Sequence, residues 1–335
     1  MPLKIYTHSD CLQHRLYPFF AEKPERLLSV QAVFNEMALP IVTPAPVDPD
    51  TLRRIHDEDY IGAIKDLSLK PGPLRIISGF TNPYVQWYTH VSRGSYRAAL
   101  QAAGAAVHAV SDVMNDSCRR AFCAVRPPGH HAGPRHGEGF CLFNNVAAGA
   151  VQALSEGAHK VAIIDFDRHH GNGTQDIVEQ RLNSSGQILF VSSYQQGCKY
   201  DHNHDRAVNQ GWISDSVLTI PVPEGSAYDY LDKAYRHQVI PALHDFKPDI
   251  ILLSAGFDMH KSDPLSSIRL EAQDYHSLTS LIAGAADDVC GGRIVSVMEG
   301  GYDLKALAEC TRFHLQALAP QGGYGKFRRN FRPSI

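Results

Sequence analysis

The chain is expected to fold as an α/β structure built around a mainly parallel sheet with helices on both faces. Three observations predict this. Short apolar runs alternate with stretches of helical spacing along most of the 335 residues, the order that βαβ units produce. The runs lack a polar alternation, as strands covered on both faces require. Four of them end in glycine followed or preceded by carboxylate, imidazole or phenol side chains.

In chain order, Met1–Tyr6 passes directly into strand-like sequence and lacks the apolar core of a signal peptide. Leu69 to Val91 reads as a long irregular segment, and its Phe80, Tyr84, Trp87 and Tyr88 either line an entrance or pack the loop onto the body. Ser95 to Met114 is rich in alanine, with Leu100, Ala103, Val107 and Val110 at three- and four-residue intervals, which predicts a helix. Ala121–Val125 is the first informative strand, opening into Arg126-Pro127-Pro128-Gly129-His130-His131. Helical spacing returns from Asn145 to Leu154. Val161–Asp167 is the second such strand, and it delivers Asp167 and His169 two residues apart, to the same side of an extended backbone. Ser192 to Ser216 is a second irregular stretch, and Tyr228 to Phe246 reads as helix. The third strand, within Lys247–Asp258, ends in Gly256-Phe257-Asp258. After a helical stretch from Ala272 to Val289, the fourth strand, Arg293–Met298, runs into Glu299-Gly300-Gly301-Tyr302, and Leu304 to Leu318 closes the pattern as helix.

Ligands of open parallel sheets bind beyond the carboxyl ends of the strands. Asp167, His169, Asp258, Tyr302, His130 and His131 are therefore expected to meet. Two aspartates and a histidine make three protein ligands, which leaves a coordination position for water or substrate, as in catalytic zinc sites. Zinc lowers the pKa of bound water to about 7 and polarises carbonyls, and amide hydrolysis needs both. The histidine pair, presented by a turn, can supply a general base and a second imidazole that tunes the local charge. Asp165 and Asn172, flanking the metal strand, are candidates to orient these rings. Tyr302, after two glycines, is placed to donate a hydrogen bond to a developing oxyanion.

Composition narrows the rest. Lys plus Arg number 32 against 35 for Asp plus Glu, so no general electrostatic field favours nucleic acid. Residues 1–320 read as one catalytic domain and 321–335, with Lys326, Arg328, Arg329 and Arg332, as a basic, solvated tail. Seven cysteines without a Cys-x-x-Cys pair argue against a disulfide framework and against a thiolate zinc site, and so for a reducing, cytoplasmic setting. No segment approaches the length of a membrane span.

Five ordered motifs together resemble one known family. They are Arg126-Pro-Pro-Gly-His-His-Ala132, Gly139-Phe-Cys-Leu-Phe-Asn-Asn145, Asp165-Phe-Asp-Arg-His-His-Gly-Asn-Gly-Thr-Gln175, Ser254-Ala-Gly-Phe-Asp258 with Asp263-Pro264, and Glu299-Gly-Gly-Tyr302. The family is that of the zinc-dependent histone deacetylases and acetylpolyamine amidohydrolases, in its class II-like or bacterial branch. The resemblance implies the arginase-deacetylase fold, a three-layer sandwich around a mainly parallel eight-stranded sheet. It implies zinc on Asp167, His169 and Asp258, His131 as general base and acid, His130 as its electrostatic partner and Tyr302 as carbonyl activator. Gly139 and Phe140 would line an acyl-lysine tunnel, with Arg26 near its inner end. A structural potassium ion would rest on the side chains of Asp165 and Ser192 and on backbone carbonyls of Asp167, His169 and Ser193.

The chain also departs from the family. Gly79 to His90 holds no acidic residue where many members carry a rim aspartate that grips a peptide backbone. Tyr194 replaces a histidine, the proline-glycine that usually follows is absent, and Tyr200 is the candidate for the second tunnel wall. Leu265 stands where a polyamine-selective relative has glutamate, and Leu69 to Val91 is short for the dimerising insertion of the bacterial polyamine enzymes. The expected substrate is an acylated lysine or small acylated amine, with acetylpolyamine hydrolysis as the first alternative and a silent acyl-lysine binding protein as the second. Zinc or iron, the acyl chain and the oligomeric state stay open.

Overall fold

A computed structural model describes residues 3–69, 77–78, 89–182, 186–197 and 211–319. Its first half runs β1 (Lys4–Tyr6), α1 (Glu25–Glu36), β2 (Ile41–Val42), α2 (Pro49–Arg53), α3 (Glu58–Leu69), β3 (Ile77–Ser78), β4 (His90–Val91), α4 (Ser95–Met114), β5 (Arg120–Cys123) and α5 (Asn145–Ser155). The second half runs β6 (Val161–Asp165), α6 (Asn172–Ile177), β7 (Ile188–Gln195), β8 (Gly211–Ser214), β9 (Val217–Val222), α7 (Tyr228–Ala234) and α8 (Ile240–Phe246). It ends with β10 (Ile250–Ala255), α9 (Ala272–Cys290), β11 (Ile294–Met298) and α10 (Leu304–Leu318).

One nine-stranded sheet has the order β2-β1-β5-β11-β10-β6-β7-β9-β8. Every pairing is parallel except β8 with β9. The expected count of eight strands is thus corrected to nine: eight run parallel, and the antiparallel β8 adds itself to the edge beside β9; within the stretch Ser192–Ser216, expected to be irregular, lie the end of β7 and all of β8. β3 and β4 form a separate antiparallel ribbon. Each residue of β5, β6, β10 and β11 is buried, which is why these strands read as unbroken apolar runs. They are also neighbours at the middle of the sheet, so the four chemically marked strand ends lie side by side.

α4 and α5 pack together on one face, and α9 and α10, with α1 beside α10 and its Phe34 ring against Phe122 of β5 (6.1 Å), form the other layer. Asn144 starts α5 by accepting the Ala147 N–H (3.0 Å), and Asp303 does the same for α10 at Ala306 (2.8 Å), satisfying donors that a helix start leaves open. α9 carries a reciprocal Glu271/Asp274 cap and ends at Gly291 in the left-handed region (φ 61°). The helix expected over Tyr228–Phe246 is present, but a π turn at Tyr235–Val239 divides it. Pro241 lies just beyond; it has no N–H to continue an α-helical ladder.

Cys11, Cys118, Cys123, Cys141, Cys290 and Cys310 are buried free thiols. Among the described residues no helix is long and apolar enough to cross a membrane. Phe80, Tyr84, Trp87, Tyr88, Tyr200 and the 321–335 tail lie outside the described residues.

Candidate active site

β6 and β10 end side by side, with Ser254 opposite Asp165, and the chain beyond each end carries a carboxylate to the same point. Ligand atoms of Asp167, His169 and Asp258 all lie within 4.8 Å of one another. His169 Nδ1 is 3.1 Å from Asp167 Oδ1 and 3.3 Å from Asp258 Oδ2. Backbone donors hold the carboxylates in place: Gly300 N–H to Asp167 Oδ2 (2.7 Å), His169 N–H to Asp167 Oδ1 (2.9 Å) and Arg168 N–H to Asp258 Oδ1 (2.8 Å). A Cβ at Gly300 would stand 2.4 Å from Asp258 Oδ2 and 2.5 Å from Asp167 Oδ2, so only glycine lets β11 come so close.

This donor set fits a divalent cation. Asp167 and Asp258 are both fully buried, and Asp258 Oδ2 accepts no hydrogen bond. Burial, then Asp167, raises the Asp258 carboxyl above its ordinary range. Two buried carboxylates that repel each other around a histidine nitrogen are stabilised by a cation between them.

The histidine pair is fastened to the same strand ends. Glu299 Oε2 accepts the N–H groups of Gly129 (2.7 Å) and His130 (3.2 Å). Asn145 Nδ2 donates to Pro127 O (3.1 Å), Asn144 Nδ2 to Ala132 O (3.1 Å) and Thr174 N–H to His130 O (3.0 Å). The backbone polar groups of a buried turn are thereby satisfied.

Two different partners then set the rings apart. His130 Nδ1 is 2.9 Å from Asp165 Oδ2; burial pulls its pKa down, but Asp165 and Asp167 carry it up to about 10. His131 Nδ1 is 2.5 Å from Asn172 Oδ1. Asn172 Nδ2 donates to Glu138 Oε2 (3.1 Å), so its oxygen is the atom turned to His131, and Nδ1 is the donor of that bond. Burial, then His130 and His169, holds His131 well below its ordinary value. A neutral ring with its hydrogen on Nδ1 keeps Nε2 as an acceptor.

Tyr302 N–H donates to Asp263 Oδ2 (2.7 Å), and burial holds its phenol well above the ordinary value, hence protonated. Arg26, expected near the inner end of a tunnel, is fully buried. Its Nε donates to Gly301 O (2.6 Å) and its Nη2 to Glu299 O (2.5 Å), and its guanidinium lies 4.8 Å from the Tyr302 ring centroid. Gly139 (φ 52°) and Phe140 (φ 69°) are both left-handed. A Cβ on Gly139 would come within 2.4 Å of His131 Cδ2, so the glycine lets this segment lie against the ring. The Phe140 ring is 5.9 Å from that of Tyr302. Leu265 is half-buried, its N–H bonded to Asp263 Oδ1 (3.0 Å).

Asp165 and Ser192 face each other in register between β6 and β7. Ser192 Oγ is 2.9 Å from His170 Nδ1, and Ser193 Oγ donates to Asp165 O (3.2 Å).

Sequence reasoning assigned no role to Glu299, Glu22, Arg126, Glu138, Asn144 or Asn145. Arg126 Nε and Nη2 bond the two oxygens of Glu22 (2.5 and 2.7 Å), and Arg26 Nη1 reaches the same carboxylate (3.3 Å). Burial opposes ionisation there, but Arg126 outweighs it and brings Glu22 down to about 2. The Glu22/Arg26 spacing of four was the only available signal. Glu299 was visible in its motif, but nothing in the sequence pointed its carboxylate at residues 129 and 130. Burial raises it to about 7.

The histone deacetylase domain family matches residues 20–318. The chain is 36% identical to the type-2 histone deacetylase 2 of Dictyostelium discoideum over 93% of its own length and 20% of that protein, so it spans about a fifth of that relative. It is 34% identical to a histone deacetylase-like amidohydrolase of Pseudomonas aeruginosa, over 84% of this chain and 72% of the other. The crystal structure of the HDA15 HD domain superposes with a TM-score of 0.81 at 29% identity, over 94% of this chain and 90% of that one.

Proposed function

The chain belongs to the histone deacetylase family, and from that premise we propose that it is a zinc-dependent amidohydrolase removing an acetyl or other acyl group from a lysine-like amine. One observation carries the reading: beside the three-ligand cluster, two adjacent histidines take different partners on Nδ1, the Asp165 carboxylate at 2.9 Å and the Asn172 amide oxygen at 2.5 Å. Zinc held by Asp167, His169 and Asp258 would polarise the amide carbonyl and acidify the attacking water.

The protein groups then divide the work. His131 Nε2, an acceptor because Asn172 holds the other nitrogen, takes the proton from water and returns it to the leaving amine. His130, paired through Nδ1 with the Asp165 carboxylate at 2.9 Å, supplies positive charge and retains its own proton. The protonated Tyr302 hydroxyl donates to the carbonyl oxygen as negative charge develops on it. Phe140 covers the stem of the acyl-lysine. A potassium ion on Asp165, Ser192 and Ser193 would neutralise the buried carboxylate at the base of the metal strand.

Tyr302→Phe should lower kcat by roughly 10² or more with little change in substrate affinity, since one hydroxyl is lost and the interaction is made chiefly in the transition state. An unchanged kcat with a raised KM would make Tyr302 a binding residue instead.

The substrate class is tested by kcat/KM for acetylated and longer-acyl lysine peptides, free acyl-lysine and acetylpolyamines, on protein analysed for zinc. Acyl-lysine compounds should lead, because a second ammonium has no carboxylate at Leu265 to receive it. Acetylpolyamines in the lead would establish the polyamine reading. Tight binding of acyl-lysine with no turnover by the zinc-loaded protein would identify a silent binding module.

A further inference from the structure

Arg168 stands between the two metal-strand ligands, and its side chain turns back onto one of them. It is only 3% exposed. Nε donates to Gln195 Oε1 (3.0 Å), Gln195 N–H donates to Arg168 O (2.8 Å), and the same Gln195 Oε1 accepts the Ser267 N–H (2.9 Å). The guanidinium is thus tied to the end of β7 and to the loop after Asp263. Its Nη1 lies 2.7 Å from His169 Nε2, the ring nitrogen opposite the one that faces Asp167 and Asp258.

A metal-ligating histidine ordinarily gives its outer N–H to a carboxylate or carbonyl, which fixes the ring and makes it a better ligand. Arg168 offers the reverse, a permanent positive charge with donors only. A neutral imidazole carries one ring hydrogen. When Nε2 accepts from Arg168, that hydrogen is on Nδ1, the nitrogen a metal would need. When Nδ1 binds a metal, the hydrogen is on Nε2 and faces another donor. Both the hydrogen-bond pattern and the charge oppose a divalent cation on His169, while the anchored guanidinium keeps the ring aimed at the carboxylates.

We propose that Arg168 is a positioning residue that weakens divalent-metal binding at the Asp167–His169–Asp258 cluster, leaving the metal exchangeable. The proposal rests on the metal reading given above. Its test is the zinc dissociation constant of metal-free protein, by competition with a chromophoric chelator, for the wild type, Arg168→Leu and Arg168→Gln. Folding is followed by the thermal melt of the metal-free forms. Both neutral variants should bind zinc at least about tenfold more tightly, the scale on which outer partners of metal ligands act, and Arg168→Lys, which keeps the charge, should stay nearer the wild type. Unchanged or weaker zinc binding by folded Arg168→Gln overturns the proposal, and that variant decides the matter if Arg168→Leu does not fold. A wild type that binds no zinc at all overturns the underlying metal reading, a failure distinct from equal affinities.

Discussion

Asp258→Ala is expected to abolish zinc retention and amide hydrolysis while the protein stays folded. The carboxylate is one of the three groups proposed to hold the metal, and a catalytic zinc site has no ligand to spare. The fold loses little in exchange. Asp258 Oδ1 accepts one backbone hydrogen bond, from Arg168 (2.8 Å), whose loss costs about 1–3 kcal/mol, and Oδ2 accepts none. Removing the side chain also relieves the repulsion with Asp167 that raises the Asp258 carboxyl. The melt of the metal-free variant should therefore lie close to that of the metal-free wild type. Elemental analysis giving one zinc per chain, together with full turnover, would place the metal elsewhere.

His131→Ala should remove most turnover, by roughly 10² to 10⁴ in kcat, and leave zinc content unchanged, because its proposed work is proton transfer and not coordination. His130→Ala should behave differently. Its ring is paired to fully buried Asp165 at 2.9 Å, and breaking a buried pair by removing one partner costs about 3–5 kcal/mol. A lowered melting temperature therefore marks the His130 variant, and a lost rate at unchanged stability marks the His131 variant. If folded His130→Ala has by far the lower kcat, the two roles must be exchanged.

The distinction between those histidines illustrates where sequence reading stopped. The pair, its turn and the candidates Asp165 and Asn172 were all legible, since glycine and proline bracket the turn and both partners flank an apolar strand. Which ring took which partner was not. That depends on Asn172 turning its oxygen to His131, and Glu138 fixes this by accepting the amide nitrogen. Glu138 is 34 residues away in the chain, and no periodicity connects the two.

By itself the sequence determined the four central strands, the helices on their faces and the set of reactive side chains. Buried parallel strands must be apolar from end to end, helices on their faces must repeat every three to four residues, and ligands must sit beyond the strand ends. Each of these constraints acts within a few residues, so each is written locally. Tertiary structure alone decided that β5, β11, β10 and β6 would be neighbours, that Glu299 would hold the histidine turn, and that Arg26, Arg126 and Glu22 would form one buried ionic group behind Tyr302. These contacts join residues as far apart as Arg26 and Tyr302. Their partners are chosen by how the layers stack and which buried charges must be neutralised there, and no local pattern in the chain encodes that choice.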